Sequence, residues 1–167
     1  MQLKYSFSLT PPVTPKPAEK LVEYSYSEFL LDLPEHWKQY PTPQDNTFNW
    51  HSEVENAGIT ISADFFEVPD EKAFECAEVC LKGRHDAMEA LAPGQVTQLT
   101  RTIKPHSQGV GLEISYSAQI PGHTYIYVGY ITSRKIFNLG LTCGPDKFAA
   151  ADLFNKTMRE RVRVKLP

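Results

Sequence analysis

The chain has 167 residues, 41% of them apolar and 22% charged, with a formal net charge of −3. That length suits one domain with its own core, the composition excludes a disordered chain, and the charge gives no general attraction to nucleic acid. No apolar run approaches the roughly 18 residues of a membrane-spanning helix, so no direct membrane insertion is expected.

Residues 1–22 read as an arm. Thr10-Pro11-Pro12-Val13-Thr14-Pro15-Lys16-Pro17 holds four prolines in eight positions, and proline fixes φ and removes a donor, which excludes helix and central strand. The first residues show no apolar stretch ahead of a small-residue cleavage site, so no signal peptide is read there. The three cysteines, Cys76, Cys80 and Cys143, are too few and too odd in number for a disulfide framework. Both features make the cytoplasm the expected compartment.

Residues 23–167 are expected to form a single α+β domain. Residues 26–33 read as a strand ending at Pro34, and residues 47–51 as a second. In the third, residues 58–65, Ile59, Ile61, Ala63 and Phe65 alternate with Thr60, Ser62 and Asp64, the period of a half-buried strand. The period then changes. Asp70 caps a helix over residues 70–91, with Phe74, Ala77, Leu81, Met88 and Leu91 on one stripe, and Pro93-Gly94 ends it.

Four strands follow, over residues 96–103, 110–120, 124–131 and 136–143. Pro121-Gly122-His123 is a tight connection that makes its two strands antiparallel neighbours. The strand 124–131 is apolar or aromatic on both sides, which places it centrally. Gly144-Pro145-Asp146 opens a second helix, with Phe148, Ala151, Phe154 and Met158 facing the core. The order βββ-α-ββββ-α predicts an antiparallel sheet of about seven strands packed with two main helices.

Several residues in this order carry a resemblance. Leu33-Pro34-Glu35-His36-Trp37 follows the first strand directly. A long helix follows the third. The closing hairpin reads Tyr125-Ile126-Tyr127-Val128-Gly129-Tyr130, then Phe137-Asn138-Leu139-Gly140-Leu141-Thr142-Cys143. Over residues 24–160 the chain resembles the PsbP-like group of domains, which includes the photosystem II extrinsic subunit, bacterial DcrB-like proteins and the effector-associated chaperones of type VI secretion. The resemblance implies a PsbP-like sandwich and a non-enzymatic binding or assembly role.

No catalytic motif competes with that role. Cys76 and Cys80 stand one helical turn apart, but a structural zinc site needs four ligands and both fall on the apolar stripe, where cysteine packs as a small hydrophobe. No metal or other cofactor is expected. Of the five histidines, His36, His106 and His123 lie in predicted turns, and no nucleophile elbow accompanies any of them. Arg84-His85-Asp86 has acid–base residue types, yet neighbours on a helix point apart. Gly109-Val110-Gly111 precedes a strand, not the helix start that a phosphate loop needs. The basic C-terminus (Lys156, Arg159, Arg161, Arg163 and Lys165 around Glu160) lacks interleaved aromatics for base stacking and reads as a solvated helix end.

The informative signal is the second face of the sheet. With Ile59, Ile61, Ala63, Leu112, Ile114 and Tyr116 under the helices, the opposite face presents Thr60, Ser62, Asp64, Phe66, Glu113, Ser115 and Ser117, joined by Tyr125 and Tyr127. Hydroxyls, carboxylates and tyrosines together suit a protein or peptide client. The expected function is a non-catalytic protein-binding module, in its most concrete form a secretion-effector chaperone. An exposed sheet edge makes a homodimer the other expected partner. Two alternatives stand beside it: a small-molecule pocket or enzyme anchored by His51, Asp64 or Arg101, and a structural subunit tethered by the arm.

Overall fold

The computed structural model describes residues 18–107 and 111–165. Among these, ten strands and two α-helices follow in order: β1 (Leu21–Ser25), β2 (Phe29–Pro34), β3 (Lys38–Tyr40), β4 (Thr47–Ser52), β5 (Ala57–Phe65), α1 (Ala73–Leu91), β6 (Thr97–Pro105), β7 (Leu112–Ile120), β8 (His123–Ile131), β9 (Lys135–Cys143), α2 (Lys147–Phe154) and β10 (Val162–Val164). Seven strands form one sheet in the order β3-β4-β5-β9-β8-β7-β6, and β1-β2-β10 form a second. Every pairing is antiparallel. The expected α+β architecture and the seven-strand count hold.

The membership of the sheet differs from expectation. The first predicted strand, residues 26–33, starts only at Phe29, because the Tyr26 backbone N–H donates to the Phe29 carbonyl across a turn; it enters the small sheet as β2, paired with β1, which precedes the predicted bounds. One edge of the large sheet is instead the three-residue β3, too short to show a period. Leu21 and Val22, assigned to the arm, lie in β1. Residues 1–17 of the arm, and Gly109 and Val110, lie outside the described residues.

Each face of the large sheet carries a core, packed by a different partner. On one face, Ile59, Ile61, Val128, Phe137, Leu139 and Leu141 meet Phe29, Leu31 and Leu33 of β2 and Ala150 and Phe154 of α2. On the other, Ile114, Tyr116, Ala118 and Tyr127 meet Ala77 and Leu81 of α1. The strand β8 lies inside the sheet between β7 and β9, as its two apolar sides predict. Gly122, at φ +79°, closes the β7–β8 hairpin, in backbone space that suits glycine.

The helices are narrower in contact than their stripes suggested. A 3₁₀ turn over Asp70–Lys72 precedes α1, so Asp70 starts that turn and does not cap the helix itself. Phe74 and Leu91, at the two ends of α1, are 59% and 70% exposed, and Phe148 at the start of α2 is 78% exposed. Asp146 caps α2 by accepting from the backbone N–H of Phe148 and Ala149 at 2.9 and 3.1 Å.

Of the C-terminal cations, Lys156 and Arg159 lie in the last helical turn, as expected of a helix end, while Arg163 and Lys165 lie in and after a strand. A π-helical turn, Asn155–Arg159, follows α2; Thr157 Oγ1 donates back to the Leu153 carbonyl at 2.7 Å, a contact that loosens helices. The chain then enters β10. Lys156 pairs with Asp152, Arg159 with Glu113, Arg161 with Glu19 and Arg163 with Asp32. Four of the five cations thus meet carboxylates of the same chain, and Lys165 Nζ donates to the Tyr26 carbonyl at 2.8 Å.

Candidate functional site

On its own face of the large sheet α1 rests on β6 and β7, and the β3-β4-β5-β9 half beside it keeps Tyr40, His51, Thr60, Asp64 and Thr142 exposed. Register decides what this open half presents. Gly58, Thr60, Ser62 and Asp64 of β5 stand opposite Thr142, Gly140, Asn138 and Ile136 of β9. Asn138 stands opposite Gly129 of β8, and Gly129 opposite Ile114 of β7. Directly paired residues share a face. The hydroxyls of β5 therefore lie on the same face as the apolar residues under α1.

Four of the expected residues, Thr60, Ser62, Tyr125 and Tyr127, line one cavity of about 150 Å³ with Arg84 of α1 and Asn138 of β9. Its floor is a hydrogen-bond chain. Tyr127, 1% exposed, donates its hydroxyl to Asn138 Oδ1 at 2.6 Å. Asn138 Nδ2 donates to Ser62 Oγ at 3.1 Å and to Asp64 Oδ2 at 3.0 Å, which ties in a fifth expected residue. The Arg84 guanidinium lies 4.2 Å above the Tyr127 ring centroid, in cation–π range, and its Nη1 donates to the Tyr125 hydroxyl at 3.4 Å.

Gly129 is what lets Tyr127 lie there. A Cβ at position 129 would sit 2.9 Å from Tyr127 Cζ and 3.0 Å from Ile114 Cγ1, so the ring occupies the space of a missing side chain. Burial pushes the Tyr127 hydroxyl above the usual tyrosine range, against the opposing pull of Arg84. Tyr125 is raised for the same reason. Both stay neutral at physiological pH and keep their protons to donate. Burial, then the neighbouring Cys76, pushes the Cys80 thiol up to about 11, so it is protonated and packs as a hydrophobe beside α1's core residues. Among the described residues no three His, Cys, Asp or Glu side chains group as a metal site.

This chain of contacts has a measurable consequence. Asn138→Ala is expected to cost about 1–3 kcal/mol in urea unfolding, because it strands the buried Tyr127 hydroxyl without an acceptor. A loss within about 0.5 kcal/mol, the range of a surface change, would mean that the hydroxyl finds another partner.

The remaining expected residues lie elsewhere. Glu113 and Ser115 point to the opposite face: Glu113 is 4% exposed and pairs with Arg159 and Lys104 at 3.2 and 3.5 Å, and Ser115 bonds Thr102. Ser117 bonds Thr100 at 2.7 Å on that same side. Phe66 lies past the end of β5 and is 42% exposed. The expected face residues thus belong to two surfaces, since β5 and β7 carry their polar residues on opposite faces. Of the other anchors considered, His51 is on the open half, opposite Gly58, while Arg101 of β6 pairs with Glu78 of α1.

Arg84 and Asn138 were not among the expected site residues. Each leaves a trace in the sequence. Arg84 follows Leu81 by three positions and Cys80 by four, on the edge of the apolar stripe. Asn138 is the one amide in the strand 136–143, between Phe137 and Leu139.

No protein-family model matches the chain, and no curated protein matches it. Among solved structures, the solution structure of cyanobacterial PsbP (CyanoP) from Synechocystis sp. PCC 6803 superposes with a TM-score of 0.62 at 12% identity, covering 93% of this chain and 100% of the other. At that identity the likeness shows the fold: the chain has the PsbP-like α+β fold. A crystal structure from Bacteroides thetaiotaomicron VPI-5482 superposes with a TM-score of 0.44 at 12% identity, over 83% of this chain and 45% of the other.

Proposed function

We propose that this chain is a non-catalytic binding module that holds a segment of a protein client on the open β3-β4-β5-β9 half-sheet, alongside α1. The observation that carries the reading is the cavity at the helix–sheet boundary, where a half-buried arginine and two hydroxyl-bearing strands meet over a floor already fixed by hydrogen bonds. A solvated sheet face needs no such floor. A preformed polar network lowers the ordering cost of binding. Beside it the half-sheet offers hydroxyl, amide and imidazole groups with the ring of Tyr40, which is 47% exposed, a mixture suited to a peptide surface. The more specific form of the reading is a secretion-effector chaperone or adaptor. The resemblance carried by Leu33-Pro34-Glu35-His36-Trp37 and the closing hairpin supports it.

The test is selection of peptides from a phage-displayed library against the full chain. Thr60→Gln combined with Thr142→Gln fills the groove with neutral side chains at two exposed positions, where the effect on folding is expected to be within about 0.5 kcal/mol. Selected peptides should bind this variant at least tenfold more weakly. Failure to enrich any peptide, or equal binding to the variant, would sink the reading.

A second reading, small-molecule binding, rests on a different place. A cavity of about 570 Å³ lies between β10 and the β7–β8 strands, lined by Glu113, Tyr130, His106 and Arg159, within the roughly 300–1,000 Å³ of ligand pockets. No enriched peptide, together with a compound that raises the melting temperature of the wild type but not of Glu113→Gln, would favour it.

A further inference from the structure

We propose that the Arg84 cavity is a carboxylate site, and that it anchors an Asp or Glu side chain of the bound client segment. The inference rests on the client-binding reading above and adds the chemistry of the partner.

Arg84 differs from four of the other five arginines, and the fifth, Arg134, is exposed in the turn between β8 and β9. Arg101, Arg159, Arg161 and Arg163 each pair with a carboxylate. The partners of Arg84 are the ring of Tyr127 and the hydroxyl of Tyr125, both neutral. A partly desolvated cation gains most from an opposite charge. Its guanidinium carries five donors in a planar fork that matches a carboxylate. Stacking on Tyr127, itself locked by Asn138 and Gly129, holds that fork in place before any ligand arrives.

Hydrogen-bond accounting around the cavity points the same way. Asn138 is spent: its amide N–H groups go to Ser62 and Asp64, and its carbonyl accepts from Tyr127. Ser62 accepts from Asn138, so its own hydroxyl proton remains to donate. Tyr125 accepts from Arg84, so its hydroxyl proton remains as well. Thr60 has already given its proton to Asn49 Oδ1 at 2.7 Å. The cavity therefore offers a cation and the hydroxyl protons of Ser62 and Tyr125, with the exposed Thr142 hydroxyl at its rim, which an acceptor-only group satisfies best. The Asp64 carboxylate is held by Asn138 at the margin. The volume of about 150 Å³ is half the roughly 300 Å³ at which small-molecule pockets begin. It fits one side chain.

The experiment uses the peptides selected above and the full-length protein. The selected peptides should share an Asp or Glu at one aligned position. Changing that residue to its amide in a synthetic peptide should weaken binding at least tenfold, about 1.4 kcal/mol. Arg84→Gln should bind the acid and amide peptides equally, and Arg84→Lys should retain part of the preference. Peptides that bind equally well as acid or amide overturn the carboxylate anchor and leave the client reading intact; no protein variant enters that comparison. A preference that survives in Arg84→Gln overturns it too. If no peptide is selected, sodium acetate is titrated into the ¹⁵N-labelled chain. Saturable shifts at Arg84 Nε and the Gly140 amide, with the Gly140 shift lost in Arg84→Gln, keep the anion site while the client reading falls. No shift overturns both.

Discussion

Replacing Glu28 with alanine is expected to destabilise the fold by about 3–5 kcal/mol, the cost of breaking a buried ion pair from one side. Lys135 opens β9 in the large sheet, and its side chain is 7% exposed. Its ammonium group meets the Glu28 carboxylate and donates to the Lys165 carbonyl at 2.7 Å. Glu28 sits in the β1–β2 turn and Lys165 follows β10, so one lysine of the large sheet holds two places of the small one. Without Glu28 the ammonium keeps its burial and loses its counter-charge. The double variant Glu28→Leu/Lys135→Met should recover much of the loss, because no unpaired charge remains buried. Urea unfolding with an unchanged m-value separates stability from compactness. A loss under about 1 kcal/mol in Glu28→Ala would mean that Lys135 swings out to water, as exposed pairs permit.

Trp50→Ala should cost a similar amount, about 3–5 kcal/mol. Trp50 is fully buried on the face of β4 that meets the small sheet, and its ring packs edge-on against Tyr24 of β1 at 5.2 Å. Truncation opens a cavity at the junction of the two sheets. The indole has a second property: its Nε1 is buried and has no hydrogen-bond partner among the described residues. Trp50→Phe should therefore lose less than half as much, since it also removes an unpaired donor whose desolvation costs about 1–3 kcal/mol. Equal losses for the alanine and phenylalanine variants would show that the N–H contributes nothing unfavourable. Trp37 remains as the fluorescent reporter in both variants.

These two positions show where the sequence was a sufficient guide and where it was not. Trp50 falls in a short run that reads as a strand, and its burial follows from size and apolarity alone. Nothing near Glu28 or Lys135 in the chain announces their pairing, because they are 107 residues apart and meet only when two sheets close on each other. The same division runs through the site. Ser62 is recognisable as an outward residue of its own strand from a period of two, whereas Tyr127 lies in a strand that is apolar or aromatic on both sides. That Ser62 shares a face with Ile114, and Glu113 does not, depends on the register through β9 and β8.

The sequence by itself determined the class of the fold, the long helix between two groups of strands, the β7–β8 hairpin at Gly122, and the central place of β8. Each rests on local periodicity or on a turn residue with a specific backbone demand. Only the tertiary structure decided that β2 leaves the large sheet, that three residues suffice for the edge strand β3, and that β10 replaces a helix end. It also decided that Arg84 closes a cavity over Tyr127. Strand order and face parity are set by long-range pairing, where shifting one strand by a residue exchanges its two faces.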